Sequence, residues 1–270
     1  WYDNAQYTGT PVSSTSGAGP YYARWTLNGT TVVTSTVMIN SAGEISLSCI
    51  EDTGIDWDSA TSTLTLTNAA ILVPDGAGGI DADDDLNIVL EGSSTVIGSA
   101  GGIWANGNIT ISGGAVLTAT GEQGYGIKAY GSVTIRGEDT VVTADGGSST
   151  DEDGYTYYYD GIYAAEYDIL ITDGAEVTAT GDAGGIFADD GSVTVSGGAV
   201  VTATGETYPG IEASGSVTIS GGAVVGATGE QRSGISADYG SVTIQGKDTV
   251  VTAVGGSYID EDAPYYYGGI

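Results

Sequence analysis

The sequence predicts an all-β fold: a right-handed parallel β-solenoid of about eight coils, each of roughly 24 residues, with an N-terminal β cap. A Gly-Ile pair recurs at intervals of about 23 to 25 residues, apart from two intervals of about 35. Between these pairs, short runs of alternating Val, Ile and Thr are bounded by glycines, which is typical of strands joined by tight turns. No segment has the periodicity of an amphipathic helix. The repeated isoleucines are Ile80, Ile103, Ile127, Ile162, Ile186, Ile211, Ile235 and Ile270.

The N-terminal segment, residues 1–50, lacks this repeat and is predicted to be a cap. It contains Tyr21, Tyr22 and Trp25, followed by the strand-like run from Thr31 to Val33. A cap shields the unpaired backbone groups at the edge of a first coil. We therefore divide the chain into a cap over 1–50 and a solenoid over 51–270.

Each coil is predicted to contain three short strands and three turns. In the strand around Thr134, alternation places Val133 and Ile135 inside and the threonine outside. Equivalent residues of stacked coils then form continuous aliphatic ladders in the core. Successive coils give parallel strands, and crossovers of this kind are almost always right-handed.

The sequence also has a longer repeat of about 108 residues, which corresponds to four coils. We call this repeat the module. The two long intervals carry matching inserts near 145–160 and 254–267, each with an acidic run followed by three tyrosines. Because they occupy the same place in the module, we expect both inserts to leave the same edge of the solenoid, about 19 Å apart, and to expose several tyrosines.

Charge excludes several classes of partner. The chain has 5 basic and 35 acidic residues, a formal net charge of -30 at pH 7. Such a charge repels phosphate backbones and anionic membranes, so nucleic acid is not an expected partner. No run of apolar residues is long enough for a membrane span.

Catalysis is not expected of this chain. It contains no histidine, the most common acid–base group in enzymes. The acidic residues concentrate in turns and inserts, where solvated loops are the usual state. The basic residues available for proton abstraction are Arg24, Lys128, Arg136, Arg232 and Lys247.

The run from Asp56 to Leu66 (DWDSATSTLTL), the run from Asp85 to Gly92 (DLNIVLEG) and the repeated VTISGGAV motif resemble secreted surface proteins of Gram-positive bacteria. Those proteins resemble in turn the pectate-lyase-like carbohydrate-binding β-helix family. The resemblance covers roughly residues 54–270. It implies a β-helix and secretion, and binding of acidic polysaccharide, with calcium, without cleavage.

Two groups of side chains are candidates for binding. Clusters of carboxylates offer the oxygen ligands that calcium prefers, although none has the spacing of a known calcium loop. These residues are Asp83, Asp84, Asp85, Asp151, Glu152, Asp153, Asp260, Glu261 and Asp262. Tyrosines in the inserts can contact sugar rings or a neighbouring protein, or cover the coil locally. They are Tyr155, Tyr157, Tyr158, Tyr159, Tyr265, Tyr266 and Tyr267.

The leading functional expectation is a non-enzymatic structural or adhesive protein, extracellular or on the cell surface. The alternative is a calcium-assisted binder of acidic polysaccharide. Because the chain begins at Trp1 without an apolar leader, we expect a processed product or an excised fragment. At the other end, Gly269 and Ile270 repeat the pair that opens a coil. We expect either further coils of the module or docking there, including head-to-tail copies of the chain in a filament.

Overall fold

The computed structural model describes residues 25–27, 30–46, 53–74, 76–260 and 263–270. All regular elements among them are β-strands, arranged in three long sheets and two hairpins. We call the long sheets A, B and C, and their strands are given in the next three paragraphs. The chain passes through them in the repeating order B, C, A, which makes it a parallel β-solenoid of about eight coils, as the sequence predicts. None of the described residues belongs to a helix long and apolar enough to cross a membrane.

Sheet B contains the strands that begin each coil. The repeated isoleucine points into the core and the next residue points outward, because side chains alternate along a strand. Neighbouring strands pair in parallel and in register, so that Ile103 lies beside Ile127, and Ile127 beside Ile162. The strands of sheet B are Val37–Ile39, Gly78–Ala82, Gly101–Ala105, Ile127–Ala129, Ile162–Ala164, Ile186–Ala188, Ile211–Ala213 and Ile235–Ala237.

Sheet C contains the strands predicted around Thr134. Val133 and Ile135 are fully buried and lie in register with Ile169 and Ile171 of the next coil, which confirms the aliphatic ladder. β-branched side chains suit this position because they pack well on a pleated surface. The strands of sheet C are Ile55–Asp58, Thr63–Thr67, Leu86–Glu91, Ile109–Ser112, Val133–Arg136, Ile169–Thr172, Val193–Val195, Val217–Ile219 and Val242–Ile244.

Sheet A closes each coil with the longest strands. Val142, Ala144 and Gly146 point inward, and the small alanine and glycine let the chain turn toward sheet B. The strands of sheet A are Trp25–Leu27, Thr30–Val33, Ala70–Val73, Ser93–Gly98, Val116–Gly121, Val141–Gly146, Glu176–Gly181, Val200–Gly205, Val224–Gly229 and Val250–Gly255.

Both predicted inserts contain antiparallel hairpins. In the first hairpin, Ser148–Thr150 pairs with Thr156–Tyr158, and in the second, Ser257–Asp260 pairs with Ala263–Tyr266. Each hairpin follows the inward glycine that ends a sheet A strand. These glycines lie in one register four strands apart. Both hairpins therefore leave the same corner, between sheets A and B, as predicted.

The corner between sheets B and C is held by polar side chains that each bind the next coil. The carboxylate Oδ1 of Asp85 accepts the backbone N–H of Asn108 at 2.7 Å, and the amide Oδ1 of Asn108 accepts that of Ser132 at 2.8 Å. The same contact recurs between Asp168 and the backbone N–H of Ser192, at 2.8 Å. These side chains satisfy backbone donors at a turn, where sheet pairing is interrupted.

The N-terminal edges of the sheets carry antiparallel segments. Trp25–Leu27 pairs in this way at the edge of sheet A, Ile55–Asp58 at the edge of sheet C, and an isolated bridge lies at the edge of sheet B. Thr30–Val33 and Val37–Ile39 also pair in parallel with the following coil. The chain before residue 51 thus already contributes to the sheets. Much of the cap predicted over 1–50 lies outside the described residues and stays a prediction.

Candidate binding face on sheet B

The outer face of sheet B carries one central row of side chains, with one residue from each coil. Parallel pairing in register places these residues side by side along the solenoid axis. We call them the central row. Its members are Met38, Asp81, Trp104, Lys128, Tyr163, Phe187, Glu212 and Ser236.

Four aromatic rings surround the ammonium group of Lys128. Its Nζ lies 4.7 Å from the ring centroid of Trp104, 4.8 Å from Tyr125, 5.0 Å from Tyr130 and 5.5 Å from Tyr163. All four distances are within the range of a cation–π interaction. We call these five residues the aromatic cluster.

The aromatic cluster is assembled from three consecutive coils. Trp104 and Tyr163 flank Lys128 in the central row because their strands pair on either side of its own. Tyr125 and Tyr130 stand just before and just after the strand that carries the lysine. Trp104 is 39% exposed and Tyr130 is 40% exposed, so the cluster presents aromatic surface to solvent.

Ring contacts continue from the aromatic cluster in two directions. Along the row, Tyr163 stacks on Tyr125 with centroids 4.7 Å apart and meets Phe187 at 5.7 Å. Across the corner, Tyr125 meets Tyr159 edge-on at 5.0 Å. Because Tyr159 directly follows the first hairpin, the base of that hairpin contacts the aromatic cluster.

Lys128 has an unusual electrostatic position in this acidic chain. Among the described residues, no carboxylate lies within 4.0 Å of its ammonium group. Burial among the rings lowers the pKa of Lys128 from its ordinary value. Within the described part of the chain, the ammonium group therefore contacts ring faces and forms no ion pair.

Carboxylates follow the aromatic cluster on the same face. The Tyr163 hydroxyl donates a hydrogen bond of 2.7 Å to the Asp189 carboxylate. Burial, with the nearby charge of Asp238, raises the pKa of Glu212 to about 7. Asp160, at the corner beside the first hairpin, accepts the backbone N–H of Gly184 at 2.7 Å, and burial raises its pKa to about 7.

The module provides an internal comparison for the aromatic cluster. Four coils later, the residues equivalent to Trp104, Tyr125, Lys128 and Tyr130 are Glu212, Ser233, Ser236 and Asp238. The strands themselves are retained, as Gly101–Ala105 and Ile211–Ala213 both belong to sheet B. The coil thus forms without the four side chains. Their presence in the first module is not a requirement of the fold.

The carboxylates predicted to bind calcium occupy separate places. Asp85 binds Asn108 at the corner between sheets B and C, and Asp83 accepts the backbone N–H of Ser41 at 3.1 Å. In the first hairpin, Asp151 accepts the backbone N–H of Asp153 and of Tyr155, and so closes the turn. Within the described part of the chain, no three acidic side chains are grouped as metal ligands.

The other predicted acidic positions contribute no further contact among the described side chains. Asp84, Glu152 and Asp153 have exposed side chains. Glu261 and Asp262 lie outside the described residues, and of Asp260 only the strand position is described. Calcium binding therefore stays a prediction.

The tyrosines predicted in the inserts divide into two groups. Those toward the hairpin strands and tips are exposed: Tyr155, Tyr157 and Tyr158 in the first hairpin, and Tyr265 and Tyr266 in the second. Tyr159 and Tyr267, which follow the hairpin strands, are partly buried. Tyr159 contacts the aromatic cluster, and the hydroxyl of Tyr267 accepts a hydrogen bond of 2.7 Å from the Arg232 guanidinium.

Sequence reasoning missed the aromatic cluster because its members are far apart in the chain. Trp104 and Tyr163 are 59 positions apart in the sequence, with the first insert between Lys128 and Tyr163. An alignment of the residues that follow each Gly-Ile pair gives the central row and is the signal that finds the cluster.

Comparisons with protein-family models, curated proteins and solved structures give no match to this chain.

Proposed function

We propose that this chain is a non-enzymatic adhesive protein that acts outside the cell and binds a carbohydrate through the aromatic cluster of sheet B. The observation that carries the proposal is the cluster of four rings around Lys128, which the fold does not require. An aromatic patch of this kind on a regular surface is typical of a binding site.

The shape of the face favours a carbohydrate. Trp104 and Tyr130 have ring centroids 6.1 Å apart and an angle of 36° between their planes, and both are partly exposed. Such rings offer broad apolar area that loses little conformational entropy on binding. The apolar C–H faces of a sugar ring match this surface, and its hydroxyls can reach the carboxylates that follow along the row.

The charge at Lys128 favours a carbohydrate that carries an acidic group. Among the described residues the lysine has no carboxylate within 4.0 Å, although the chain is strongly acidic overall. An anion bound beside the ammonium group would therefore gain attraction without displacing an existing ion pair. The polysaccharide class suggested by the sequence resemblance agrees with this expectation.

Separate observations support the non-enzymatic role and the extracellular location in this proposal. The chain contains no histidine, and Lys128 of the aromatic cluster has four rings around it and no carboxylate within 4.0 Å among the residues that the structure describes. An extracellular location is expected from the resemblance of the repeats to secreted surface proteins, and it agrees with an adhesive role.

A glycan array with matched variants tests the proposal. We expect Trp104→Ala and Tyr130→Ala each to weaken binding of the recognised acidic glycan about 10-fold or more, because truncation removes ring contacts. Lys128→Met should reduce the preference for acidic over neutral glycans. The control is Tyr239→Ala, since Tyr239 is 92% exposed and lies outside the cluster. Equal binding by all four variants, or no binding by the folded parent protein, would contradict the proposal.

The expected role of calcium is tested on the same array. If calcium bridges the ligand to the carboxylates predicted from the sequence, EDTA will abolish binding by the parent protein. If the aromatic cluster and Lys128 are sufficient, binding will persist in EDTA and remain sensitive to Trp104→Ala. The two outcomes separate the calcium-assisted alternative from binding by the cluster alone.

A further inference from the structure

The two hairpins form a second repeated surface that the aromatic cluster does not include. The first leaves the solenoid after Gly146 and the second after Gly255, four sheet A strands further on. At the usual spacing of about 4.8 Å between strands, they leave the corner about 19 Å apart. The glycines are in register, so the hairpins stand in equivalent positions.

The fold does not require the hairpins. In other coils the same corner is closed by a short connection, as between Gly181 and Ile186 or between Gly205 and Ile211. The central row changes from Trp104 to Glu212 between modules, whereas the hairpins keep their tyrosines and acidic runs. Retention of an element that is dispensable for the core points to a role in binding.

Each hairpin exposes several aromatic rings. In the first, Tyr155 is 70% exposed, Tyr157 53% and Tyr158 47%. In the second, Tyr265 is 55% exposed and Tyr266 81%. Exposed tyrosines clustered on a hairpin are typical of a protein-binding surface, because each ring buries a large area and has few rotatable bonds.

The acidic residues around the tyrosines favour a positively charged partner. Glu152 and Asp153 are exposed at the tip of the first hairpin, beside the three rings, and the second hairpin carries the corresponding acidic sequence. Carboxylates attract cations at a distance, and tyrosine faces bind ammonium and guanidinium groups at contact. The same carboxylates repel an anionic polymer.

A second copy of the chain is a poor occupant for this surface. The chain has only five basic residues among 270. Of these, Lys128 lies among the four rings of the aromatic cluster, and Arg232 binds the hydroxyl and ring of Tyr267. With only five basic residues in this chain, a partner with many free cationic groups is a different molecule.

We propose that the two hairpins are paired docking sites for a basic polypeptide segment. An extended chain advances about 3.3 Å per residue, so a segment of about six residues spans the distance between the two hairpins. Because one segment engages both hairpins, binding to the second becomes intramolecular and raises the overall affinity. This proposal is independent of carbohydrate binding at the aromatic cluster.

The test uses the full 270-residue chain and two lysine–serine repeat peptides, of 4 and 16 residues, at a salt concentration of about 150 mM. The variants are Tyr157→Ala with Tyr158→Ala, Tyr265→Ala with Tyr266→Ala, and all four together. None changes the net charge, and the substituted side chains lie outside the core. The matched control is Tyr208→Ala with Tyr239→Ala, two exposed tyrosines outside the hairpins.

We expect each hairpin variant to weaken binding of the 16-residue peptide about 10-fold and the fourfold variant about 100-fold, because the avidity is lost. Binding of the 4-residue peptide should fall no more than about twofold in a single-hairpin variant, since that peptide cannot bridge the hairpins. Trp104→Ala should leave both peptides unaffected.

Four outcomes would overturn the proposal. Equal weakening by the control pair, or no weakening by the hairpin variants, would mean diffuse attraction to an acidic surface. Hairpin-dependent binding of polygalacturonate or dextran without hairpin-dependent binding of the peptide would mean that the hairpins bind carbohydrate. Loss of binding to Trp104→Ala would place the peptide on the aromatic cluster.

Discussion

Gly198 and Gly205 differ in what a side chain would meet, although they lie only seven positions apart. Gly198 has a φ of +77° and open space around the position of a Cβ atom. In other coils the equivalent turn position is Asp139 or Asp248, with φ of 62° and 64°. Gly205 is an inward glycine of sheet A, and a Cβ there would collide with backbone oxygens of the following turn. The first glycine is needed for its backbone conformation and the second for the lack of a side chain.

Substitution separates these two requirements. We expect Gly198→Ala to lower the free energy of unfolding by about 1 kcal/mol, because alanine is disfavoured in the left-handed region. Gly198→Asn should cost less, since asparagine tolerates this region and aspartate already occupies it in other coils. Gly205→Ala should cost about 3 kcal/mol because the backbone must move. Urea unfolding measures all three, and equal costs for the two alanine variants would contradict this account.

At the scale of the element, the corner between sheets B and C depends on side chains that link neighbouring coils. Asn108 is the most connected member, because its Oδ1 accepts from both the backbone N–H and the hydroxyl of Ser132 while its Nδ2 donates to Asp85. Each link joins residues about 24 positions apart. Stacking of coils thus rests on side-chain hydrogen bonds at the corner as well as on backbone pairing within the sheets.

We expect Asn108→Ala to lower the free energy of unfolding by about 1 kcal/mol, because it removes these side-chain hydrogen bonds between coils. Asn106→Ala is the control at the same corner, since Asn106 is exposed and contributes a backbone hydrogen bond to Ala82. The midpoint of urea unfolding reports both effects. If Asn106→Ala lowered stability as much as Asn108→Ala, the loss would come from substitution at this corner in general. The side-chain hydrogen bonds of Asn108 would then not be its cause.

The coil was predictable from the sequence because its signal is local and repeated. Ile127 recurs as Ile162 after an insert, and the alternation around Thr134 gives the inward and outward faces directly. The aromatic cluster was not predicted because Tyr163 reaches Lys128 only through the register of two strands separated by the first hairpin. Calcium binding stays a prediction from clustered carboxylates, and the structure adds that Asp151 closes a turn with its carboxylate.

At the scale of the whole molecule, buried carboxyl groups make stability dependent on pH. Asp160 is buried, and its pKa is raised to about 7 by that burial, with smaller effects from Glu212 and Asp189. The folded state therefore binds a proton at Asp160 that the unfolded state releases at lower pH. The free energy of unfolding should fall as pH rises from about 4 to about 7, by up to about 1.4 kcal/mol per pH unit for this group.

Removal of the ionisable group tests this linkage. We expect Asp160→Asn to show a smaller fall in melting temperature between about pH 4 and about pH 7 than the parent protein, while part of the fall persists through Glu212, whose pKa is also raised to about 7. The amide can still accept the Gly184 N–H. Asp190→Asn, at an exposed position, controls for the loss of one negative charge. Equal pH dependence in the parent and Asp160→Asn proteins would refute the linkage.

The common corner of the two hairpins has a consequence for distance. Because every coil between them adds one strand to sheet A, their separation takes only whole multiples of about 4.8 Å. The coils share the same inward Val, Ile and Ala positions, as at Val201 and Val225. Loss of one coil would therefore shorten the span, and duplication of one coil would lengthen it, while the core stays intact. The number of coils between two attached groups therefore sets the distance between them, in steps of about 4.8 Å.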